Sequence, residues 1–257
     1  MSLRESTRDE LQEENSLLRA KIEQLQRMAV LGELTSTTTH EFNNLLTTIL
    51  NYAKLGLRYR DEPSRDKAFQ RILDASNRAA KLTGTILAMA RNRSGQMEPT
   101  DLKQVIDDTL LLMEKELQKY RIGVEKKIEN VPSILGIGNQ LQRVLINMLV
   151  NARQAMPNGG TVLIQLSSED EGRTVSLAIR DTGQGIAPEH LPKIFDPYFS
   201  TKTGPDASGK GGTGLGLSAC REIIESHSGR IRVESAVGRG TQFIMRFPVL
   251  AAANDAA

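Results

Sequence analysis

TTTHEFNNLL, residues 37–46, decides how the first part of this 257-residue chain is read. Threonine and asparagine are weak helix formers, yet the stretch lies inside an unbroken helical pattern. Leu31, Leu34, Thr38, Phe42, Leu45, Ile49 and Ala53 step by three or four along one stripe. Sorting the segment at about 100° per residue places His40 on the opposite side, with Glu33, Thr37, Asn44, Thr47 and Asn51. His40 is therefore expected to be exposed. An ordinary solvated face carries Lys, Glu and Arg, but the only formal charge between Leu34 and Ala53 is Glu41. A small, neutral strip around an exposed imidazole suits docking as well as it suits solvent.

Outward from that stretch, RDEPSR (60–65) reads as a turn, with Pro63 suited to the start of a following helix. The second helix is expected to run to about Asn92, its stripe carried by Phe69, Ile72, Leu73, Ala79, Leu82, Ile86, Leu87 and Ala90. Two long helices and a short turn make an antiparallel hairpin. Alone it has too little core, and a homodimer making a four-helix bundle would complete it. Upstream, Leu11, Leu18 and Leu25 repeat every seven residues, followed by Asn15, Ile22 and Ala29. Residues 1–30 thus read as a short parallel coiled coil with Asn15 setting register, the alternative being an amphipathic surface helix.

The hairpin is expected to occupy residues 31–93 and a linker 94–101, after which the pattern changes. Helices are expected at 102–120, about 140–156 and 215–226. Strands are expected at IGVEKKI, SILGI, TVLIQLS, TVSLAIRD, GRIRVES and GTQFIMRFP. Helices on one face of a mixed sheet make residues 102–250 an α+β sandwich. AAANDAA (251–257) reads as a disordered tail.

Composition excludes several classes. Hydrophobic residues at 39% and charged residues at 25% are those of a globular chain. A net charge of +2, 4% aromatic residues and no Trp give no support to nucleic-acid binding. One Cys precludes an internal disulfide and fits a reducing compartment. No apolar run reaches the length of a membrane span and no secretory signal opens the sequence, so a cytoplasmic fragment is expected.

Four segments carry possible chemistry. A neutral imidazole such as His40 is a nucleophile, and a carboxylate beside it, Glu41, can hold its tautomer and take its proton. Asn44, one turn on, can orient water towards a group on the ring. In NMLVNARQAM, Asn147 and Asn151 share a helix face, and their amide oxygens suit Mg²⁺ that also binds phosphate oxygens. Two helical Asn are equally ordinary as surface residues. DTGQGI (181–186) follows a strand. Asp181 would accept from an exocyclic amine, with Gly183 and Gly185 allowing close approach of a flat ligand, although a type II turn explains the same residues. GKGGTGLGL (209–217) opens a helix and offers a phosphate cradle. It lacks the Walker spacing and the dinucleotide-binding context. The intervening FDPYFSTKTGPDASGKGG (195–212) reads as a mobile lid.

HEFNN, NMLVNA, DTGQGI, FDPYFSTK and GTGLGL, in that order, resemble the H, N, G1, F and G2 boxes of sensor histidine kinases, over roughly residues 28–250. The HEFNN box is similar to that of the nitrogen-regulation-like subgroup. The resemblance implies a dimerisation and histidine-phosphotransfer hairpin followed by a Bergerat-fold (GHKL) domain that binds ATP and Mg²⁺. It implies His40 as phosphoacceptor, Glu41 as its acid/base and Asn44 as the residue supporting dephosphorylation of the partner. It implies Asn151 with Asn147 at the metal, Asp181 at the adenine amine, and Gly183 and Gly185 shaping that pocket. Gly212, Thr213, Gly214, Leu215 and Gly216 would meet the phosphates, with Lys202 reaching them. Phe195 and Phe199 would anchor the lid against the core and the hairpin, and Cys220 would fill core. The implied partner is a receiver domain of a response regulator in another chain, and a sensor domain would lie upstream.

Two departures from the family pattern stand out. Leu45 occupies the position where many members bend the helix with proline, so a straighter helix is expected. Gln154 stands where many have a basic residue, leaving Lys202, Lys210 or Arg153 to offset phosphate charge. The alternatives are a GHKL ATPase of the gyrase or chaperone kind, or an ATP-binding scaffold without phosphotransfer. The former resemble only the second half, and carry a Glu at the position of Asn147, where an amide cannot act as a general base.

Overall fold

The computed structural model describes residues 42–90, 96–201 and 214–249. The expected coiled coil of residues 1–30, His40, Glu41, the lid residues Lys202, Lys210, Gly212 and Thr213, and the tail all lie outside the described residues.

Helix α1 covers residues 42–58 and runs on through Leu45, as the absence of proline there predicts. After a three-residue turn, α2 spans Glu62–Ala90. Asp61 starts it, its Oδ2 accepting the Ser64 N–H at 2.9 Å. Those hydrogen bonds from Ser64 hold the Asp61 carboxyl below the ordinary carboxylate value. Pro63 sits in the first turn, where a missing N–H costs nothing. The two helices meet through small residues: a Cβ on Gly56 would lie 3.5 Å from that of Ala68.

Within one copy, α2 buries Ala68, Ala75 and Leu82, whereas Phe69 and Leu73 remain 55% and 53% exposed. On α1, Leu45 is buried while Phe42, Leu46 and Leu50 face outward. The expected stripe of Phe69 and Leu73 is thus open in the single chain, the small alanines having taken the intrachain contact. The side chains of Ile86, Leu87 and Ala90 lie outside the described ones.

The second unit follows from β1 (Glu98–Thr100), which occupies the end of the segment expected to be a linker and pairs antiparallel with β3 (Ile134–Gly136). Helix α3 (Leu102–Lys119) is capped by Asp101, whose Oδ1 accepts from Lys103 N at 2.8 Å and Gln104 N at 3.4 Å. Then come β2 (Ile122–Ile128), α4 (Gly138–Ala155), β4 (Gly160–Glu169), β5 (Thr174–Asp181), α5 (Gly216–Ser226), β6 (Arg230–Ala236) and β7 (Gly240–Pro248). The five-stranded sheet has the order β2-β4-β5-β7-β6; β2 and β4 are parallel and the other pairs antiparallel.

Alternation along the central strands puts Val162, Ile164, Leu166, Val175, Leu177, Ile179, Phe243, Met245 and Phe247 on one face. They form one core with Ile106, Met113, Leu145, Met148, Leu149 and Ile224 of α3, α4 and α5. The result is the two-layer α+β sandwich expected. Helix α2 reaches this unit, with Leu82 joining its core and Arg78 pairing with Glu114 on α3.

Candidate functional site

The carboxyl end of β5, the last turns of α4 and the start of α5 converge on one edge of the sandwich. Asp181 closes β5 and is buried, at 5% exposure. Its Oδ1 accepts the Gly183 N–H at 2.8 Å and the Thr241 N–H at 3.2 Å. Burial pushes the Asp181 pKa above its ordinary 3.8, and the two backbone donors pull against that rise. Oδ2 has no partner among the described residues, so an oriented acceptor is offered to a ligand.

The loop after Asp181 is fastened on both sides. Gln184 N donates to Ala155 O at 3.1 Å, at the end of α4, and Gly238 N donates to Gln184 O at 2.8 Å. Ile186 N donates to Ser235 Oγ at 2.9 Å. A Cβ on Gly183 would stand 2.7 Å from both Ala155 Cβ and Ala155 O, so no larger residue fits without moving α4. Gly185, at φ +71°, would drive a Cβ to 2.1 Å from Ala236 O. These glycines shape a tight turn and bring backbone beside Asp181 at once; the turn and the ligand readings of DTGQGI are compatible.

Asn147 and Asn151 lie half-buried on one face of α4. Asn147 Nδ2 donates to Cys220 Sγ on α5 at 3.5 Å, and Asn151 makes no side-chain hydrogen bond among the described residues. Their amide oxygens are hard, neutral donors of the kind Mg²⁺ accepts together with phosphate oxygens. Among the described residues no three His, Cys, Asp or Glu side chains gather as metal ligands. A cation here would therefore rest on the amides and on the ligand's own oxygens, a donor set that fits Mg²⁺ held by a nucleotide.

Helix α5 begins at Gly216 with no side-chain cap, leaving its first N–H groups without a side-chain partner, and a Cβ at Gly216 would meet open space. Just before it, Gly214 O accepts the Tyr198 N–H at 3.0 Å, while a Cβ on Gly214 would be 2.4 Å from the Tyr198 carbonyl carbon. The two ends of the lid segment are thereby held together. Phe195 meets Phe243 edge-on at 6.5 Å between ring centroids, and Phe199 lies 5.7 Å from His190. Both pack on the core, as expected.

Asp181, Gly183, Gly185, Asn147, Asn151, Gly214, Leu215 and Gly216 are thus brought to one edge. Asn44 is exposed on α1, its backbone carbonyl accepting from Thr48 Oγ1 at 2.8 Å. Arg153, a candidate for phosphate charge, is instead buried in an ion pair with Glu116, its guanidinium 4.9 Å from the Tyr120 ring centroid. Cys220 is fully buried, as expected of core filler, and burial pushes its thiol up to about 12. Its contact with Asn147 and the Thr241 bond to Asp181 are additions that periodicity could not supply, because both join elements distant in sequence.

Comparison with known proteins gives two family matches. Residues 30–95 match the His Kinase A (phospho-acceptor) domain. Residues 136–251 match the histidine kinase-, DNA gyrase B-, and HSP90-like ATPase. The sensor kinase CckA of Brucella abortus is 35% identical over 259 residues, 92% of this chain and 26% of that protein. The signal transduction histidine-protein kinase AtoS of Escherichia coli is 31% identical, over 89% of this chain and 36% of that protein. The chain therefore spans about a third or less of these curated relatives. The solved catalytic domain of the histidine kinase ThkA is 31% identical with a TM-score of 0.52, covering 60% of this chain and 97% of that one. A structure of ThkA in complex with the response regulator protein TrrA is 28% identical with a TM-score of 0.50, covering 87% of this chain and 63% of that one.

Proposed function

The chain belongs to the sensor histidine kinases, and on that premise we propose that it is the ATP-dependent autokinase portion of such a protein, with His40 as phosphoacceptor. The observation that carries this reading is the edge where the free Asp181 Oδ2, the glycine-lined approach at Gly183 and the Asn147–Asn151 face meet the open end of α5. Upstream stands a hairpin bearing His40 in a neutral strip.

In this account Asp181 Oδ2 accepts from the adenine amine, and Gly183 and Gly185 admit the flat base. Asn151 and Asn147 hold Mg²⁺, which when bound offsets phosphate charge and orients the phosphates. The α5 amides at Leu215 and Gly216, with Gly214, Gly212, Thr213 and Lys202 of the lid, take the phosphate oxygens. A ring nitrogen of His40 attacks the γ-phosphorus in line; the N–P bond forms as the bond to the ADP oxygen breaks, and Glu41 takes the ring proton. The phosphoryl group then passes to an Asp carboxylate of a receiver domain in another chain. Asn44, exposed and four residues on from His40 in sequence, orients water for the reverse duty of dephosphorylating that partner. Use of ATP places the reaction in the cytoplasm.

The outward Phe42, Leu46 and Leu50 of α1 and Phe69 and Leu73 of α2 are the face a second copy covers in a four-helix bundle. No helix among the described residues is long and apolar enough to cross a membrane. No observation favours a hydrolytic ATPase, since Asn147 carries an amide where water activation needs a base. The test is label transfer: γ-labelled ATP marks the protein, and the mark moves to a receiver. Label released as free phosphate from the outset, with none on protein, would favour the ATPase instead.

A further inference from the structure

Strand β6 ends the five-stranded sheet on one side, with β7 as its only strand partner among the described residues. Its outer edge therefore presents N–H and C=O groups that pair with no strand, a place where an extended chain can add. Helices α3, α4 and α5 pack on the face that carries Phe243, Met245 and Phe247. Arg230 and Arg232 alternate with Ile231 and are exposed, and their β7 partners in register are Arg246 and Ile244. These side chains thus stand on the opposite face of the sheet.

A groove of about 1060 Å³ opens beside the first half of β6. Its acidic side chains are already engaged. Glu169 accepts from Arg246 Nε at 2.7 Å, Glu225 from Arg221 Nε at 2.8 Å, and Asp170 from Thr174 Oγ1 at 2.9 Å. Arg230 and Arg232 line the same groove, and neither has a side-chain hydrogen bond or ion pair among the described residues. Arg230 also stands directly across from Arg246, a like-charge pair that a bound anion would relieve. Thr174, in the groove, and Asp181, at the edge assigned to the nucleotide, are opposite ends of β5, about 23 Å apart at 3.3 Å per residue. The groove is a second site, remote from the first.

We propose that β6 docks an extended acidic segment of a partner protein, which adds as a further strand and sets carboxylates against Arg230 and Arg232. The two arginines are two residues apart, the repeat of side chains on one face of a strand. The matching segment therefore carries Asp or Glu at i and i+2. Pairing along the edge supplies affinity, and guanidiniums that fork onto carboxylate oxygens supply selection. Donors and acceptors at strand spacing match a peptide backbone, and neither a lipid headgroup nor a nucleic acid offers that repeat. The proposal does not depend on the nucleotide reading.

Fluorescence anisotropy of the whole chain with a short labelled peptide of alternating valine and glutamate tests this. The controls are the same peptide with lysine for glutamate, and one with N-methylated backbone amides. The glutamate peptide should slow amide hydrogen exchange in β6 and bind about tenfold or more tighter than either control, the scale of a lost hydrogen bond to a charged group. Arg230→Glu combined with Arg232→Glu should weaken the glutamate peptide by about tenfold or more and favour the lysine peptide, with the thermal midpoint at its wild-type value. No binding of the glutamate peptide, equal binding of the glutamate and lysine peptides, or indifference to the double variant overturns the proposal. Undiminished binding of the N-methylated peptide overturns it too, because that would mark an anion patch without strand addition. If the double variant does not fold, Arg232→Gln carries the comparison, and unaltered binding to it overturns the proposal. Self-association of the wild type beyond a dimer, abolished by Arg232→Glu, would give the edge to a second copy with Glu234 facing Arg232, and so overturn it.

Discussion

Glu116 of α3 and Arg153 of α4 form an ion pair inside the protein, with 6% and 5% of their surface exposed. The Tyr120 ring lies against the guanidinium. Removing one partner of such a pair leaves an uncompensated buried charge, costing about 3–5 kcal/mol. Glu116→Ala should therefore lower the unfolding free energy by that amount, seen as a lower denaturant midpoint at unchanged slope, while Glu116→Leu combined with Arg153→Met should recover most of it. A Glu116→Ala midpoint equal to wild type would show that the pair does not join α3 to α4.

Asp181→Asn places an amide where two backbone N–H groups, Gly183 and Thr241, hold an oxygen inward. The amide nitrogen must then face outward, donor against the donor amine of adenine. ATP affinity should fall about tenfold to a hundredfold, the scale of a hydrogen bond to a charged group. Burial raises the Asp181 pKa, so acid should weaken nucleotide binding at a higher pH than an ordinary carboxylate of pKa 3.8 would. Without ligand the sign is the reverse: the raised value stabilises the fold most at low pH, and that contribution is lost as pH rises through the folded pKa. Titration calorimetry across pH 4–7 reads the ligand effect; a flat affinity would contradict it.

His227, at the end of α5, is buried between two backbone partners. Its Nε2 accepts the Ile137 N–H at 2.9 Å and its Nδ1 donates to Ile223 O at 2.6 Å, which fixes a neutral ring. Burial holds its pKa below 6.5, the bond to Ile223 opposing. A depressed histidine contributes stability that is complete above 6.5 and declines as pH falls towards the folded value, by up to about 1.4 kcal/mol per pH unit. His227→Gln should be less stable at pH 7.5 and flatter between pH 6.5 and 5. Urea unfolding at several pH values checks this, and an unchanged slope in the variant would assign the dependence elsewhere.

Much of this architecture was legible in the sequence. TVSLAIRD and GTQFIMRFP occupy β5 and β7 residue for residue, because alternation and β-branched side chains mark half-buried strands plainly. Thr100, by contrast, belongs to a three-residue strand containing Pro99, which looks like linker until β3 is present to pair with it. The parallel partnering of β2 with β4 is equally silent in sequence, since register is a tertiary property. At the site, Asp181 and Gly183 were readable from DTGQGI. Arg153 was misjudged because its partner Glu116 lies on another helix, 37 positions away. Phe69 and Leu73 carry the expected apolar stripe, but the intrachain contact falls to Ala68 and Ala75, a choice that periodicity alone does not make.

Asn44 is exposed on α1 and lies four residues beyond His40 in sequence. Asn44→Ala should leave the rate of labelling by ATP within about twofold of wild type, a surface change away from the nucleotide. Loss of a water-orienting group should slow dephosphorylation of the phosphorylated receiver by about tenfold or more. Both rates can be followed with one receiver preparation. Equal loss in the two reactions would contradict the division of labour assigned to Asn44.

The most direct measurement is the chemistry and position of the phosphate acquired from ATP. The wild-type chain should carry an acid-labile, base-stable phosphoryl group that mass spectrometry at alkaline pH places on His40, and His40→Gln should carry none while still binding ATP. Label that persists on His40→Gln, or that survives acid, would contradict the assignment of this chain as a histidine autokinase.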